Sequence, residues 1–487
     1  MTRGSTWNKW DFHLHTPYSI LNNQFGDPND DSTWERYVQA IEEKAAALNI
    51  AAIGITDYFL IDGYKRLLEF QANGRLANIL LFPNIEFRID KFIYRSQAGG
   101  QPKRVNYHVL FSPDVPPAQI EEHFLHDLEF VSEDQPYDRS HVRKLKRANL
   151  EKFGETLQRQ QAEFREKSAL EIGCMNATVD IEKVKEQLHK DGRFRGRYLL
   201  VLAEENLSLI DWASQDSAAR KHLVQMSHAV FSSNPKSRSF LLGKSHPTME
   251  DFLEEFKSPK PCIWGCDCHG YKERFLEPDE QRFCWIKGEV SWEGLKQILY
   301  EPDARVRIQP HDPEPSKSTY TLDRIHITET QINDSLRVCE ADIALNPNLV
   351  AIIGGRGSGK TALLDLIADC FPDGEKIREM ETSFHYRLYH KTSAKPIQVK
   401  LQFQSGEQTG KAFGAEHEVF GRADILYLTQ NHIDDYTANP TLLYSHIIEL
   451  VFENRPDEQR AYVEFSEHIA RRQREIDPLV DQQLRTG

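Results

Sequence analysis

The sequence predicts an α/β protein of more than one domain, and three observations lead there. Short apolar runs alternate with amphipathic stretches over residues 1–112 and again from 198 to about 309, the rhythm of strands covered by helices. A segment rich in proline, serine and charge, HDPEPSKS at 311–318, ends that rhythm. Beyond it a second strand–glycine loop–helix pattern begins. The length, 487 residues, agrees with several cores at roughly 150 residues per domain.

In chain order, Ala40–Leu48 reads as helix, Ala51–Ile55 as strand, Gly63–Phe70 as helix and Ile79–Phe82 as strand. Residues 114–192 are densely charged with sparse apolar spacing, which predicts a helical insertion. Strands resume at Tyr198–Ala203, Ala229–Phe231 and Ile263–Gly265, and the first domain closes at about residue 310. Residues 311–320 form a linker. The second domain, 321–454, opens with strands Ile325–Thr328 and Leu349–Ile353 and helix Thr361–Ala368. Residues 455–487 read as a charged helical segment interrupted by Pro478, the start of a coiled-coil arm although heptads are not sustained.

Composition excludes several classes. With 39% hydrophobic and 28% charged residues the chain is globular rather than disordered. No run approaches the roughly 18 apolar residues of a membrane span, and MTRGSTWNKW has no apolar signal core. Seven cysteines, an odd number without a secretion signal, point to reduced thiols and a cytoplasmic location. A net charge of −14 excludes a globally basic coat but not a local groove. His141–Arg147 together with Arg193, Arg195 and Arg197 concentrates positive charge, either as a solvated face or as a nucleic-acid contact.

Gly354-Gly355-Arg356-Gly357-Ser358-Gly359-Lys360-Thr361 satisfies the phosphate-loop pattern between an apolar run and a helix. Its backbone N–H groups can curl round phosphate oxygens; Lys360 would reach the β/γ-phosphates of ATP and Thr361 would ligate magnesium. Asp424–Gln430 reads as a strand ending in glutamine. In ATPases of the ABC and SMC type such a glutamine contacts magnesium and the attacking water, which assigns Gln430 to the same site. No signature loop and no closing Asp-Glu follow, so 321–454 reads as the N-terminal half of such a head. Heads of this kind meet in pairs, which implies a homo-oligomer.

Metal-binding residues recur at the ends of apolar runs. His13 and His15 share one face of a strand. Glu86 follows ILLFPN, His108 sits in NYHVLF, and Asp267 and His269 follow CIWGC. Ligands at strand ends are how a parallel barrel builds a site. Cys262, Cys266 and Cys268 read as buried thiols rather than a zinc knuckle, and His228 as a hydrogen-bonded core residue.

HLHT, GITDY, PNIEF, NYHVLF and GCDCH, in this order, resemble the PHP (polymerase and histidinol phosphatase) metallophosphoesterase domain, whose fold is a distorted (β/α)7 barrel. Its pairing with the glycine-rich loop resembles the TrlF-type family of PHP–ATPase fusions. The resemblance implies that His13, His15, Glu86 and Asp267 hold one divalent cation, manganese or zinc, with Glu86 bridging to a second bound by His108 and Glu204. Ile20 and Tyr58 stand where the family places third-site ligands, so at most two metals are expected. His269 is then a ligand or acts on the substrate, and Asp57 is a ligand, an acceptor behind the ligands or a general base. The implied function is a metal-dependent phosphoester hydrolase, a nuclease on DNA or RNA (tRNA included) controlled by the ATPase, in bacterial anti-phage defence. The alternatives are a phosphatase on a small metabolite and an SMC-like nucleic-acid-binding ATPase with a silent barrel.

Overall fold

Strands of the first unit carry apolar residues on both faces, as strands caught between a barrel interior and covering helices must. The computed structural model describes residues 3–93, 103–131, 143–203, 217–272, 274–314, 321–334, 336–371, 377–389, 396–415, 425, 427–428, 436–452 and 455–486. The chain divides into two units, Met1–Ser318 with Ala344–Val350, and Thr319–Ile343 with Ala351–Gly487.

The first unit holds β1 (Trp7–His15), β2 (Ile50–Tyr58), β3 (Leu80–Ile93), β4 (Lys103–Phe111), β5 (Phe130–Val131), β6 (Thr178–Val179), β7 (Tyr198–Ala203), β8 (Ala229–Phe231), β9 (Cys262–Ile263), β10 (Phe283–Lys287) and β11 (Val306–Gln309). Their hydrogen-bonded path runs β11-β10-β1-β2-β3-β4-β7-β8-β9. The far end of this path returns to β1. Phe12 N donates to Trp264 O (3.2 Å), Asp267 N to His13 O (2.7 Å) and His15 N to Cys268 O (3.3 Å), with a parallel bridge between Leu14 and Cys268. β1, β2, β3, β4, β7, β8 and β9 therefore close into a ring. All are parallel except β4, which pairs antiparallel with both β3 and β7. Residues 94–102, which join β3 to β4, are too few for the dozen or so residues of a parallel crossover.

Helix α1 (Asp31–Leu48) starts where the Asp30 carboxylate accepts from Ser32 N, and it buries Trp34, Tyr37, Val38, Ile41 and Ala45 along one stripe. Helix α2 (Asp62–Ala72) packs on β2 and β3. The 114–192 segment carries α3 (Pro117–His123), α4 (Arg147–Gln160), α5 (Ala169–Asn176) and α6 (Ile181–Lys190). It is not purely helical as expected: β5 and β6 pair within it, and Val179 of β6 bonds beside Ile89 of β3. Helices α7 (Ser217–Met226), α8 (Pro235–Leu241) and α9 (Met249–Phe256) accompany β8 and β9.

The barrel interior is apolar at one end and polar at the other. Trp10, Phe12, Phe82, Leu110, Val201, Phe231 and Ile263 form one buried cluster. By the two-residue period, Glu86 shares the Phe82 face of β3 and His108 the Leu110 face of β4. On β1 the same period would put Leu14 inside and the histidines outside. A register shift between Asp11 and Leu14 reverses the parity, and Leu14 joins the outer, helix-facing cluster instead. His13 and His15 thus turn to the interior mouth.

The second unit contains β12 (Leu322–Ile327), β13 (Thr330–Asn333), β14 (Leu336–Val338), β15 (Ala341–Ala344), β16 (Gln398–Phe403) and β17 (Gln408–Ala412), with sheet order β15-β12-β16-β17 and a separate β13-β14 hairpin. The expected strand Leu349–Ile353 is not formed. Leu349 is 83% and Ile353 90% exposed, because among the described residues no neighbouring strand offers the run a hydrogen-bonding edge. Of Asp424–Gln430, Ile425, Tyr427 and Leu428 are described and none is in a strand; Gln430 lies outside the described residues. The residues 456–486 form a single helix that runs through Pro478, where the sequence pattern predicted a break. No helix among the described residues is long and apolar enough to cross a membrane.

Candidate metal centre

At the polar mouth four donor atoms converge from β1, β3 and the segment after β9. His13 Nε2 lies 3.1 Å from His15 Nε2, 3.3 Å from Glu86 Oε2 and 3.2 Å from Asp267 Oδ1. His15 Nε2 lies 3.5 Å from Glu86 Oε2 and 3.3 Å from Asp267 Oδ1. A tetrahedral cation with bonds of about 2.0–2.1 Å has ligand–ligand edges of about 3.3–3.4 Å. The residues fit such an ion, and two imidazoles with two carboxylates suit zinc or manganese.

Supporting contacts aim these donors. His15 Nδ1 meets Ser19 Oγ at 2.7 Å, leaving Nε2 to face the centre. Glu86 Oε1 accepts from Asn106 Nδ2 at 2.6 Å, leaving Oε2 as the convergent oxygen. The buried Asp11 carboxylate accepts from His13 N (3.0 Å) and Cys266 N (2.9 Å), tying β1 to the loop that carries Asp267. Burial pushes Asp11 up to about 6. Asp267 itself takes a left-handed backbone, φ 51°, and the strand expected over Ile263–Gly265 is instead Cys262–Ile263. Neither Asp11 nor Asn106 was marked by the sequence; a carboxylate inside the apolar run WDF was the available signal for the first.

The electrostatics follow from crowding opposite charges in a buried place. Burial opposes the charge on Glu86, but His108, His13 and His15 bring it down to about 2. Burial likewise opposes ionisation of Asp267, and His13, His15 and His269 hold it well below the carboxylate range. For His13, burial is overcome by Asp267 and Glu86, which raise it to about 9.

His108 is directly opposite Glu86 across β3 and β4, with its ring 4.7 Å from His13. Both its ring nitrogens are buried without a hydrogen-bond partner, and burial lowers its pKa to about 3. A neutral imidazole with two unsatisfied nitrogens fits a ligand to a second cation. His269 groups with His15 and Asp267, stacks on His15 at 3.9 Å, and is lowered to about 4 by burial and His15. Glu204 lies outside the described residues.

Asp57 is buried, with Oδ1 accepting from Thr16 Oγ1 (2.8 Å) and Oδ2 from Gly63 N (3.0 Å). These bonds hold the β1–α1 connection to the start of α2, the acceptor role among those the sequence left open. Tyr58 stacks on His15 at 4.9 Å and forms a wall of the site. Burial pushes the Cys262 thiol up to about 12, and among the described residues no cysteine joins a ligand group.

In the second unit the glycine-rich loop 354–359 precedes α10 (Lys360–Ala368), with Gly357 and Gly359 at φ 81° and 90°. Lys360 Nζ donates to Gly354 O (2.7 Å) and Gly355 O (2.8 Å), so its charge sits against the loop. Loop residues with positive φ followed by a helix N-terminus fit a phosphate group.

No family model matches the chain, and no curated protein matches it. A solved structure from Bifidobacterium adolescentis, provisionally described as a metal-dependent phosphoesterase, is similar over 61% of this chain and 97% of its own, at 13% identity and a TM-score of 0.29, a likeness too low to bear on chemistry.

Proposed function

We propose that the first unit is a metal-dependent phosphoester hydrolase. The observation that carries this reading is the set of five donor–donor distances between 3.1 and 3.5 Å among His13, His15, Glu86 and Asp267. A divalent cation held there supplies Lewis acidity toward a phosphoryl oxygen and a nucleophile at neutral pH. His13, His15, Glu86 and Asp267 would bind it; His108, together with Glu204, would hold a second. Asn106, Ser19 and Asp11 orient these ligands. His269, neutral at pH 7, can ligate or accept a proton, and the Tyr58 ring screens one side from water.

The substrate we infer is nucleic acid. Arg195 and Arg197 are exposed and carry no ion pair among the described residues, which favours a polyanion over a small phosphomonoester. We further propose that residues 354–361 bind ATP with magnesium, that paired second units govern the hydrolase, and that the system serves bacterial antiviral defence; this part rests on the sequence resemblance. The test is incubation of metal-loaded protein with labelled single- and double-stranded DNA, tRNA and a general phosphomonoester. Metal-dependent cleavage of a nucleic acid, lost in Asp267→Asn, is the expected result. Turnover of the monoester alone would replace nuclease by phosphatase, and no turnover of any substrate would refute the hydrolase.

A further inference from the structure

The barrel has a second recess at the end opposite the metal ligands. Tyr198 begins β7, His228 immediately precedes β8 and Lys260 lies just before β9. These strands run parallel to one another and, through Cys268, to β1, whose other end carries His13 and His15. At about 3.3 Å per residue the length of β7 separates the two ends by roughly 20 Å. The recess has a volume of about 380 Å³ and is lined by Lys185, His189, Tyr198, His228, Ser258 and Lys260 among others. That is within the range of small-molecule sites, roughly 300–1,000 Å³.

Its charge is one-sided. Lys260 is 4% exposed, yet its ammonium meets only Ser258 Oγ (2.9 Å) and the distant Gln225 O (3.5 Å), and it has no carboxylate partner among the described residues. Among the described residues no carboxylate lines the recess. A buried ammonium without a counter-charge is costly, and burial accordingly lowers Lys260 to about 8. Lys260 and Lys185 line the same recess as His228, and burial together with their charges lowers the His228 imidazole to about 4. Its tautomer is set by the backbone. Leu200 N donates to His228 Nδ1 at 2.9 Å, so in the neutral ring the proton sits on Nε2, a donor with no partner among the described residues. Lys185 and His189, exposed on α6, stand at the mouth.

We propose that this recess binds a phosphate group, as the free ion or as part of a small phosphomonoester. Two ammonium groups and an imidazole N–H, with no competing acid, match a compact dianion with several acceptor oxygens. The site is separate from the metal centre, so a ligand there would act on the barrel without occupying the reaction site.

The experiment is calorimetric titration of inorganic phosphate, and separately glucose 6-phosphate, into the metal-loaded full chain, Lys260→Met and Lys360→Ala. The last variant controls for phosphate held by the 354–361 loop. The expected result is saturable binding in the wild type and in Lys360→Ala that weakens by about tenfold or more in Lys260→Met. Equal affinity for the two probes would name the free ion, and tighter sugar phosphate a small metabolite; either sustains the proposal. Because Lys260→Met changes a buried site, a second measurement uses the wild type alone. Acetylation of Lys260 at pH 8, read by mass spectrometry, should slow when phosphate is present. Absence of saturable binding, binding unchanged in Lys260→Met, or Lys260 acetylation indifferent to phosphate would each overturn the proposal.

Discussion

Gly265 sits where the ring of strands closes, and adding one methyl group there tests the link between closure and the metal centre. An alanine Cβ at 265 would lie 2.3 Å from His13 N, 2.6 Å from Asp11 Oδ1 and 2.7 Å from His13 Cβ. Ordinary contacts are near 3.5 Å or more, so the 264–268 segment must retreat by about 1 Å. That movement strains Asp267 N→His13 O (2.7 Å) and Cys266 N→Asp11 Oδ2 (2.9 Å), the bonds that hold Asp267 over the imidazoles. Metal sites tolerate ligand displacements of about 0.2 Å. Gly265→Ala should therefore cost about 1–3 kcal/mol of stability from overpacking and weaken metal binding by about tenfold or more. Thermal unfolding with and without zinc or manganese, paired with calorimetric titration of the metal, reads both effects. The wild type should gain melting temperature on metal addition and Gly265→Ala little. If the variant binds metal with wild-type affinity, Asp267 is not held through this contact, or is not a ligand.

Metal binding at pH 7 should release a proton, because His13, raised to about 9 by Asp267 and Glu86, must lose one to ligate. The sign is fixed: His13 stabilises the metal-free fold below pH 6.5, and that contribution is lost as pH rises through about 9, so apparent metal affinity should climb roughly 50-fold from pH 7 to 9. Calorimetry in buffers of different ionisation enthalpy counts the proton, and a flat affinity profile contradicts the assignment. Asp57, raised to about 7 by burial, favours its neutral form, so it costs stability as pH rises from 3.8 to 7. Asp57→Asn should thus become more stable relative to wild type at pH 8 than at pH 5 and retain hydrolysis; loss of turnover with an intact fold would make Asp57 the base after all. Lys360→Ala should weaken ATP–magnesium binding by removing the cation of the loop; unchanged calorimetric affinity would detach the loop from nucleotide.

What the sequence determined by itself was mostly local. The two-residue period of strands and the second half of α1 were legible, as was the place of His13, His15, Glu86 and Asp267 at or beside the ends of apolar runs. Three decisions belonged to the tertiary structure. Simple alternation along β1 cannot set its histidines and its aromatic residues on one side, and only the register shift against β2 does so. Asp267 meets the imidazoles because the 264–268 segment returns to β1, a contact between residues some 250 positions apart in which Asp11 takes part. For Asp57 the sequence left ligand, acceptor and base open, and only the fold brings Thr16 and Gly63 to its two oxygens, which favours the acceptor. The run Leu349–Ile353 makes the converse point: apolar, β-branched residues favour a strand, but a strand exists only where another backbone pairs with it.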